Sequence, residues 1–293
     1  MSAIACLTVT GDAHACGLAH GTRFAREIAE NIETYLRRFA ASGLARDQAF
    51  VEGRRWLAAI VKTNPAYAEE MRGIAEGCAG DETAIALLNA RYELVFGLFG
   101  KEARQELLAV GADGCTTFGL LPEVTADRHT WLGQNWDWLE GVHGRTFVLR
   151  VERTHAPSFV CLTEAGIAGG KMGVNECGIG LVENGLASSR DGRNPYSKPF
   201  HVRCREVLDA QSLDEALAAI GDGPRTASAN FVMRLREVGG TSTAPRPAFE
   251  RPRAGLFKPR PPPCAFGIFL ISSPMRTFAA RMVSSAHRFT SST

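Results

Sequence analysis

The first 110 residues carry apolar side chains at the three- and four-residue spacing of amphipathic helices. One such stripe runs through residues 24–39. A second helix is predicted to begin at Pro65, a residue that suits the first helical turn, and to end before Gly77. A third is predicted to follow Asp81, whose side chain can cap free N–H groups, and to continue to Gly97. The N-terminal part of the chain is therefore predicted to be mainly helical.

The pattern changes at Cys115, where short runs rich in β-branched and aromatic residues begin. Turn residues such as Pro, Asp and Gly separate these runs, which is typical of strands in hairpins. The predicted strands are residues 116–121, 130–135, 146–152, 158–163, 170–175, 180–183 and 229–235. One further helix is predicted over residues 199–220. Helices first and antiparallel strands afterwards favour an α+β layered fold over an alternating parallel sheet.

The composition is that of a globular protein, with 293 residues of which 45% are hydrophobic and 22% charged. A net charge of +2 gives no overall field for binding nucleic acid or an anionic membrane. The charge is uneven, because seven Lys or Arg and no acidic residue lie between Arg251 and Thr293. Eight of the 14 prolines fall between Pro245 and Pro274. We expect residues 239–293 to be a disordered basic tail or an out-of-frame reading of coding sequence.

The eight cysteines include no C-x-x-C pair, so neither a zinc knuckle nor a thioredoxin-type motif is predicted. We expect no metal ion and no cofactor. The first 17 residues lack the basic and apolar regions of a secretory signal. The longest apolar run, residues 264–271, is too short to span a bilayer. The expected protein is soluble and cytoplasmic, with no membrane or nucleic-acid partner.

A candidate for chemistry is the run Asp113-Gly114-Cys115-Thr116-Thr117, where the helical pattern gives way to strands. A thiol directly after a glycine can attack the preceding carbonyl, because glycine has no side chain to block the approach and tolerates strained backbone angles. Hydrolysis of the resulting thioester would free the α-amine of Cys115. The ordinary pKa of an α-amine, about 7.7–8.0, makes it a base for its own thiol. The bond between Gly114 and Cys115 is thus a candidate self-cleavage site.

Two other interpretations of Cys115 are open on this pattern. The first is a buried strand cysteine after a turn glycine, with no chemical role. The second is an ordinary cysteine hydrolase that acts uncut with a histidine partner, for which His129 and His143 are nearest in sequence. None of the seven histidines lies in a motif that marks such a partner.

A second candidate group lies in the run Gly133-Gln134-Asn135-Trp136-Asp137-Trp138, at the end of the strand predicted to pair with the one after Cys115. Antiparallel pairing would return Asp137 close to Cys115, where a carboxylate could hold the α-ammonium. Asn135 or Gln134 could donate amide hydrogen bonds to a substrate carbonyl or its oxyanion. The alternative interpretation is a turn aspartate between two core tryptophans.

These segments together resemble the acyl-coenzyme A:6-aminopenicillanic acid (isopenicillin N) acyltransferase family of N-terminal-nucleophile hydrolases. The combination of D-G-C-T-T with G-Q-N-W-D downstream is specific to that pattern. The matching segments keep the family's order over residues 9–235; they are GLAHGTRFA, EEMRGIAEG, LLNARYELVFG, DGCTTFG, GQNWDW, LTEAGIAGGKMGVNECGIGLVENGL and ASANFVM.

The resemblance implies a proenzyme that cuts itself between Gly114 and Cys115. The fragments, 1–114 and the β-rich 115–238 with its tail, would stay associated in one four-layer αββα sandwich. The implied activity is transfer of an acyl group from an amide or a thioester, such as acyl-coenzyme A, to an amine or to water. The implied partner is therefore a small-molecule amide or thioester.

The resemblance also implies roles for single residues. Cys115 resembles the family's nucleophile, and Asp137 resembles the acid near its amine. Asn175 and Asn184 lie in the family's glycine-rich strand segment and are expected, with Asn135, to line the substrate pocket.

The chain departs from the family after the strand predicted at 229–235. There the family has a Thr-Asn-His segment whose asparagine helps form the oxyanion hole, and then closing strands with an arginine in the site. The residues from 238 onward contain no such segment. Because loss of one oxyanion donor typically costs on the order of 10² to 10³ in rate, a catalytically impaired remnant of such an enzyme is the alternative function.

Overall fold

The structure of the chain is a computed structural model that describes residues 4–95, 115–186, 191–235 and 269–271. Six of its helices precede the long strands, and two lie between the last strands. They are α1 (Ala13–Arg23), α2 (Ala25–Ala41), α3 (Arg46–Thr63), α4 (Pro65–Gly77), α5 (Glu82–Asn89), the single turn α6 (Arg91–Glu93), α7 (Phe200–Asp209) and α8 (Leu213–Gly221).

The predicted helix boundaries are confirmed where capping residues mark them. The stripe at 24–39 is α2, and the helix predicted to open at Pro65 is α4, which extends to Gly77. Asp81 caps α5 by accepting a hydrogen bond from the Thr83 N–H at 2.6 Å. A proline in the first turn and a capping aspartate fix these helix starts, and both residues can be recognised in the sequence.

The third predicted helix is interrupted, because α5 ends at Asn89 and the chain continues after Ala90 as the single turn α6. The Asn89 side chain donates to the Ile85 carbonyl of its own helix at 2.8 Å and also bonds to a loop of the sheet. Its amide nitrogen donates to the Gly166 carbonyl at 2.9 Å, and its oxygen accepts from the Ala168 N–H at 3.0 Å. Gly97 lies outside the described residues.

A six-stranded mixed sheet forms the centre of the described fold, with the strand order β1-β4-β5-β6-β7-β8. β1 runs parallel to β4, and all other neighbours are antiparallel. The strands are β1 (Ala5–Thr10), β4 (Thr146–Glu152), β5 (Phe159–Glu164), β6 (Met172–Asn175), β7 (Ile179–Leu186) and β8 (Ser228–Leu235). The predicted α+β class is confirmed.

A second, three-stranded antiparallel sheet contains β2 (Thr116–Leu120), β3 (Trp131–Asn135) and β9 (Phe269–Ile271). Its first two strands form the predicted hairpin and contact β7 and β8 of the larger sheet. The last strand pairs with β3 and is the part of the predicted tail 239–293 that the structure describes; the rest of that segment lies outside the described residues.

Two features of the fold differ from the sequence pattern. The pattern does not single out β1, whose partner β4 is distant in sequence. The helix predicted over 199–220 is two helices, because the backbone is extended at Ala210 and Ser212 caps a new helix by accepting from the Glu215 N–H at 3.2 Å. None of the helices in the described ranges is long and apolar enough to cross a membrane.

Candidate active site

Cys115 directly precedes β2, and the hairpin register decides what lies beside it. Thr116 pairs with Asn135, so the chain leaving β3 passes next to Cys115. The Cys115 thiol donates to the backbone carbonyl oxygen of Asp137, with a distance of 3.7 Å between Sγ and that oxygen. The structure therefore places Asp137 beside Cys115, as the hairpin prediction requires. Gly114, the other half of the candidate cleavage site, lies outside the described residues.

The Asp137 carboxylate is held by the side chain of Asn135, two residues earlier. The Asn135 amide nitrogen lies 3.1 and 3.0 Å from the two carboxylate oxygens. An amide that donates to a carboxylate orients that carboxylate. In this arrangement Asn135 therefore orients the side chain of Asp137.

Asn184 contacts the Cys115 segment directly. Its amide nitrogen donates to the Cys115 backbone carbonyl at 2.5 Å. Its oxygen accepts from the Thr117 hydroxyl at 2.5 Å and from the Asn230 amide nitrogen at 3.3 Å. One side chain on β7 thus joins the start of β2 to β8, and it fixes the backbone on which the Cys115 thiol is carried.

Asn175 lies elsewhere. Its amide nitrogen donates to the carbonyls of Leu208 and Ala210, and its oxygen accepts from the Ile179 N–H. Ile179 begins β7, five residues before Asn184, which is about 16 Å along a strand. The described contacts therefore bring Cys115, Asp137, Asn135 and Asn184 together, whereas those of Asn175 join the β6–β7 turn to the end of α7.

The Cys115 thiol is in a partly buried, charged environment. Burial raises its pKa, and the nearby Glu183 carboxylate raises that pKa further. The hydrogen bond to the Asp137 carbonyl and the cation of Lys171 act in the opposite direction. The charged side chains that act most strongly on this thiol are therefore Glu183 and Lys171.

Two buried residues of this site, Lys171 and Glu183, are not singled out by the sequence pattern; their exposed fractions are 1 and 4%. Gln134, which the pattern offered as a donor to a substrate, is fully buried. The Gln134 oxygen accepts from the Glu183 N–H at 2.9 Å, at the end of β7 that extends beyond β6. The available signal is a lysine and two glutamates within a largely apolar, glycine-rich segment, since charged side chains are rarely buried without partners.

Lys171 and Glu164 form a buried ion pair close to this site. Their nearest atoms are 2.5 Å apart, and both side chains are almost fully buried. Burial lowers the pKa of Lys171 to about 8 even though Glu164 opposes that change. Arg91 and Lys171 lower the pKa of Glu164 to about 2 against the effect of burial. Within the described ranges, no three His, Cys, Asp or Glu side chains converge as metal ligands would.

Comparison with known proteins gives two matches. The model of the family "Acyl-coenzyme A:6-aminopenicillanic acid acyl-transferase" matches residues 124–238. The chain is also 30% identical, over 236 residues, to the acyl-coenzyme A:6-aminopenicillanic-acid-acyltransferase 40 kDa form of Emericella nidulans. The chain belongs to the acyl-coenzyme A:6-aminopenicillanic acid acyl-transferase family. The aligned part is 78% of this chain and 59% of the relative, so the chain spans about three fifths of that acyltransferase.

Membership of the acyl-transferase family fits the position of the site. The residues that the family model matches include Asp137, Lys171, Glu183 and Asn184, and they begin shortly after Cys115. Most of the side chains around the thiol therefore lie in the part of the chain that matches the family model.

Proposed function

We propose that this chain is an autoprocessing N-terminal-cysteine amide hydrolase or acyltransferase. It would move an acyl group from an amide or a thioester, such as acyl-coenzyme A, to an amine or to water. The observation that carries the proposal is the position of Cys115 at the start of β2, with its thiol on Asp137 and its carbonyl on Asn184.

The first proposed reaction is self-cleavage. The Cys115 sulfur attacks the Gly114 carbonyl carbon, the bond from that carbon to the Cys115 nitrogen breaks, and the nitrogen takes the proton. Water then attacks the thioester, which leaves a carboxylate on Gly114 and returns the thiol. Asn184 supports this step because it holds the Cys115 carbonyl while the bond on the other side of the residue breaks.

The second proposed reaction uses the freed α-amine of Cys115. The amine takes the thiol proton, and the thiolate attacks the acyl carbon of the donor. The leaving thiol or amine departs with a proton, and an acyl-thioester remains on Cys115. An acceptor amine or water then attacks this thioester and regenerates the thiol. Asp137, already beside the sulfur and oriented by Asn135, would hold the α-ammonium that forms in each step.

The two fragments would stay together after the cut, in the four-layer αββα arrangement of N-terminal-nucleophile hydrolases. Contacts across the cleavage point support this part of the proposal. β1, before the cut, pairs along its whole length with β4, after the cut. Tyr35 on α2 donates to Glu164 at 2.6 Å, and Asn31 on the same helix donates to the Ala165 carbonyl at 2.9 Å. Sheet pairing and buried hydrogen bonds of this kind do not depend on an intact peptide bond at residue 114.

The test is a turnover assay on the purified full chain with an acyl-coenzyme A donor, with and without an amine acceptor. Products are followed by mass spectrometry. The expected result is release of coenzyme A by the wild-type chain and none by Cys115→Ala. Cys177→Ala removes another half-buried thiol and should leave the rate unchanged.

The other outcomes of this assay identify the alternatives. A chain that is cut but shows no turnover is the impaired remnant. Turnover by an uncut chain supports a cysteine hydrolase with a separate base. Wild-type turnover in Cys115→Ala would overturn the proposal.

A further inference from the structure

Glu164 holds three side chains that come from different parts of the fold. Its Oε1 accepts from Arg91 and from Lys171, each at 2.5 Å. Its Oε2 accepts from the Tyr35 hydroxyl at 2.6 Å. We call Tyr35, Arg91, Glu164 and Lys171 the Glu164 cluster. All four side chains are almost completely buried, so their positions are set by one another rather than by water.

Two tryptophans contact the cations of the Glu164 cluster. The Lys171 ammonium lies 3.5 Å from the ring centre of Trp136. The Arg91 guanidinium lies 4.5 Å from the ring centre of Trp138, and the Trp138 indole N–H donates to the Tyr35 hydroxyl at 2.6 Å. The contacts of Lys171 with Trp136 and of Arg91 with Trp138 are cation–π contacts of buried cations. Such contacts are strongest when the cation is removed from water.

These tryptophans are the two residues on either side of Asp137. The segment 136–138 is therefore held at both ends by cations that share one carboxylate. The residue between the two anchors is the one whose backbone carbonyl accepts from the Cys115 thiol. The backbone of Asp137 is clamped through its neighbours, and its carboxylate is oriented separately by Asn135.

We propose that the Glu164 cluster is the positioning group of the active site, which fixes Asp137 against Cys115 through Trp136 and Trp138. This inference rests on the proposed function of Cys115. The residues of the Glu164 cluster act through Trp136 and Trp138, so they are positioning residues rather than catalytic ones. Lys171 has a second part in this arrangement: it lies on the ring of Trp136, next to the Asp137 carbonyl that accepts from the Cys115 thiol, so its charge also acts on that thiol.

A purely structural role would account less well for this use of charge. Buried ion pairs are weak contributors to stability, since desolvation offsets much of the attraction, and apolar residues of similar volume often serve as well. Here a single carboxylate places one cation on each of the two tryptophans that flank Asp137. Such contacts orient the segment around Asp137, which an apolar cluster would not do. The arrangement is therefore better suited to orienting a segment than to stabilising a core.

The first test compares two tyrosines that differ only in what their hydroxyl groups hold. Tyr35→Phe removes the link between Trp138 and Glu164, while Tyr67→Phe removes an equally buried hydroxyl that donates to Asn89 at 2.7 Å. Because Tyr35→Phe removes two hydrogen bonds, we expect it to slow self-cleavage by at least about fivefold. Tyr67→Phe should change the rate by less than about twofold. Equal rates in the two variants would overturn the inference.

The second test needs no self-cleavage and so separates this inference from the proposed function. The rate at which iodoacetamide alkylates Cys115 in the whole chain is followed against pH by mass spectrometry of the Cys115 peptide. Lys171→Met removes a cation that favours the thiolate, so alkylation near pH 7 should slow on the order of three- to tenfold. Lys171→Arg keeps the cation and should restore most of the rate.

The control for the second test is Lys198→Met, which breaks a half-exposed lysine pair with Glu206 and should leave Cys115 alkylation unchanged. An unchanged profile in Lys171→Met, or an equal loss in Lys171→Met and Lys171→Arg, would overturn the inference even if the wild-type chain cleaves itself. A chain that does not cleave but shows the expected alkylation profiles would overturn the proposed function alone.

Discussion

Two buried charge clusters join the helices to the larger sheet, and they are built in opposite ways. In the Glu164 cluster, one carboxylate serves the two cations Arg91 and Lys171. In the second cluster, one buried guanidinium serves two carboxylates: Arg205 lies 2.8 Å from Glu70 and 3.1 Å from Asp209, and the partly exposed Asp209 also accepts from Arg153 at 2.7 Å. We call Glu70, Arg205 and Asp209 the Arg205 cluster.

The two clusters also differ in what they hold. Arg205 donates to the Ala168 carbonyl at 2.7 Å and lies over the Phe159 ring, so it joins α7 and α4 to the interior of the sheet. The cations of the Glu164 cluster lie instead on the tryptophans beside Asp137. Buried charge thus joins elements of the fold in the Arg205 cluster, whereas in the Glu164 cluster it contacts the segment next to Cys115.

Removing the central carboxylate is expected to have the largest effect on stability. Glu164→Gln leaves two buried cations without a counter-charge, which should lower the free energy of unfolding by about 3–5 kcal/mol. Glu70→Gln leaves Arg205 with Asp209 and the Ala168 carbonyl, so the loss should be about 1–3 kcal/mol. Urea unfolding followed by circular dichroism near neutral pH measures both. Equal losses would show that the two clusters are equivalent.

The pH dependence of that effect follows from the low pKa of Glu164. Because the folded-state pKa is about 2 and the ordinary value 4.5, the carboxylate contributes stability above 4.5 and loses it as the pH falls toward 2. The difference in unfolding free energy between the wild-type chain and Glu164→Gln should therefore shrink by about 3 kcal/mol between pH 5 and pH 2. A difference that stays constant over this range would contradict the assigned charge state.

A third buried carboxylate sharpens the comparison, because it has no cation bonded to it among the described residues. Glu93 accepts from the Phe200 N–H and the Thr226 hydroxyl, and burial raises its pKa to about 7. The folded state then binds the extra proton between pH 4.5 and 7, so wild-type stability should fall as the pH rises through this range.

Glu93→Gln should lessen that fall and be more stable than the wild-type chain at pH 8, by on the order of 1–3 kcal/mol. The glutamine oxygen can keep both hydrogen bonds. Thermal unfolding at several pH values provides the measurement. The expectation fails if the wild-type chain and the variant show parallel pH profiles.

The part of the site that could be predicted from the sequence is the part set by local pairing. A hairpin of two short strands brings the residues after β3 back to the residue before β2, and this places Asp137 beside Cys115 without knowledge of the rest of the fold. Helix starts at Pro65 and Asp81 are likewise local, because they depend on one proline ring and one capping side chain.

The Glu164 cluster could not be predicted in this way. Tyr35, Arg91 and Lys171 come from α2, α6 and the residue before β6, and only the packing of helices on the sheet brings them to Glu164. The contacts of Asn175 could not be predicted from its place in the sequence either. It lies in the same glycine-rich segment as Asn184, yet its amide bonds to the chain that follows α7.

Self-cleavage before Cys115 is measured most directly by the intact mass of the purified chain over time, with and without hydroxylamine. We expect two fragments that begin at residues 1 and 115, and no cleavage in Cys115→Ala. Because hydroxylamine attacks thioesters, it should speed the cut in the wild-type chain and leave a hydroxamate in place of the carboxylate at Gly114. A wild-type chain that stays whole, or a Cys115→Ala chain that is cut at the same bond, would contradict the account.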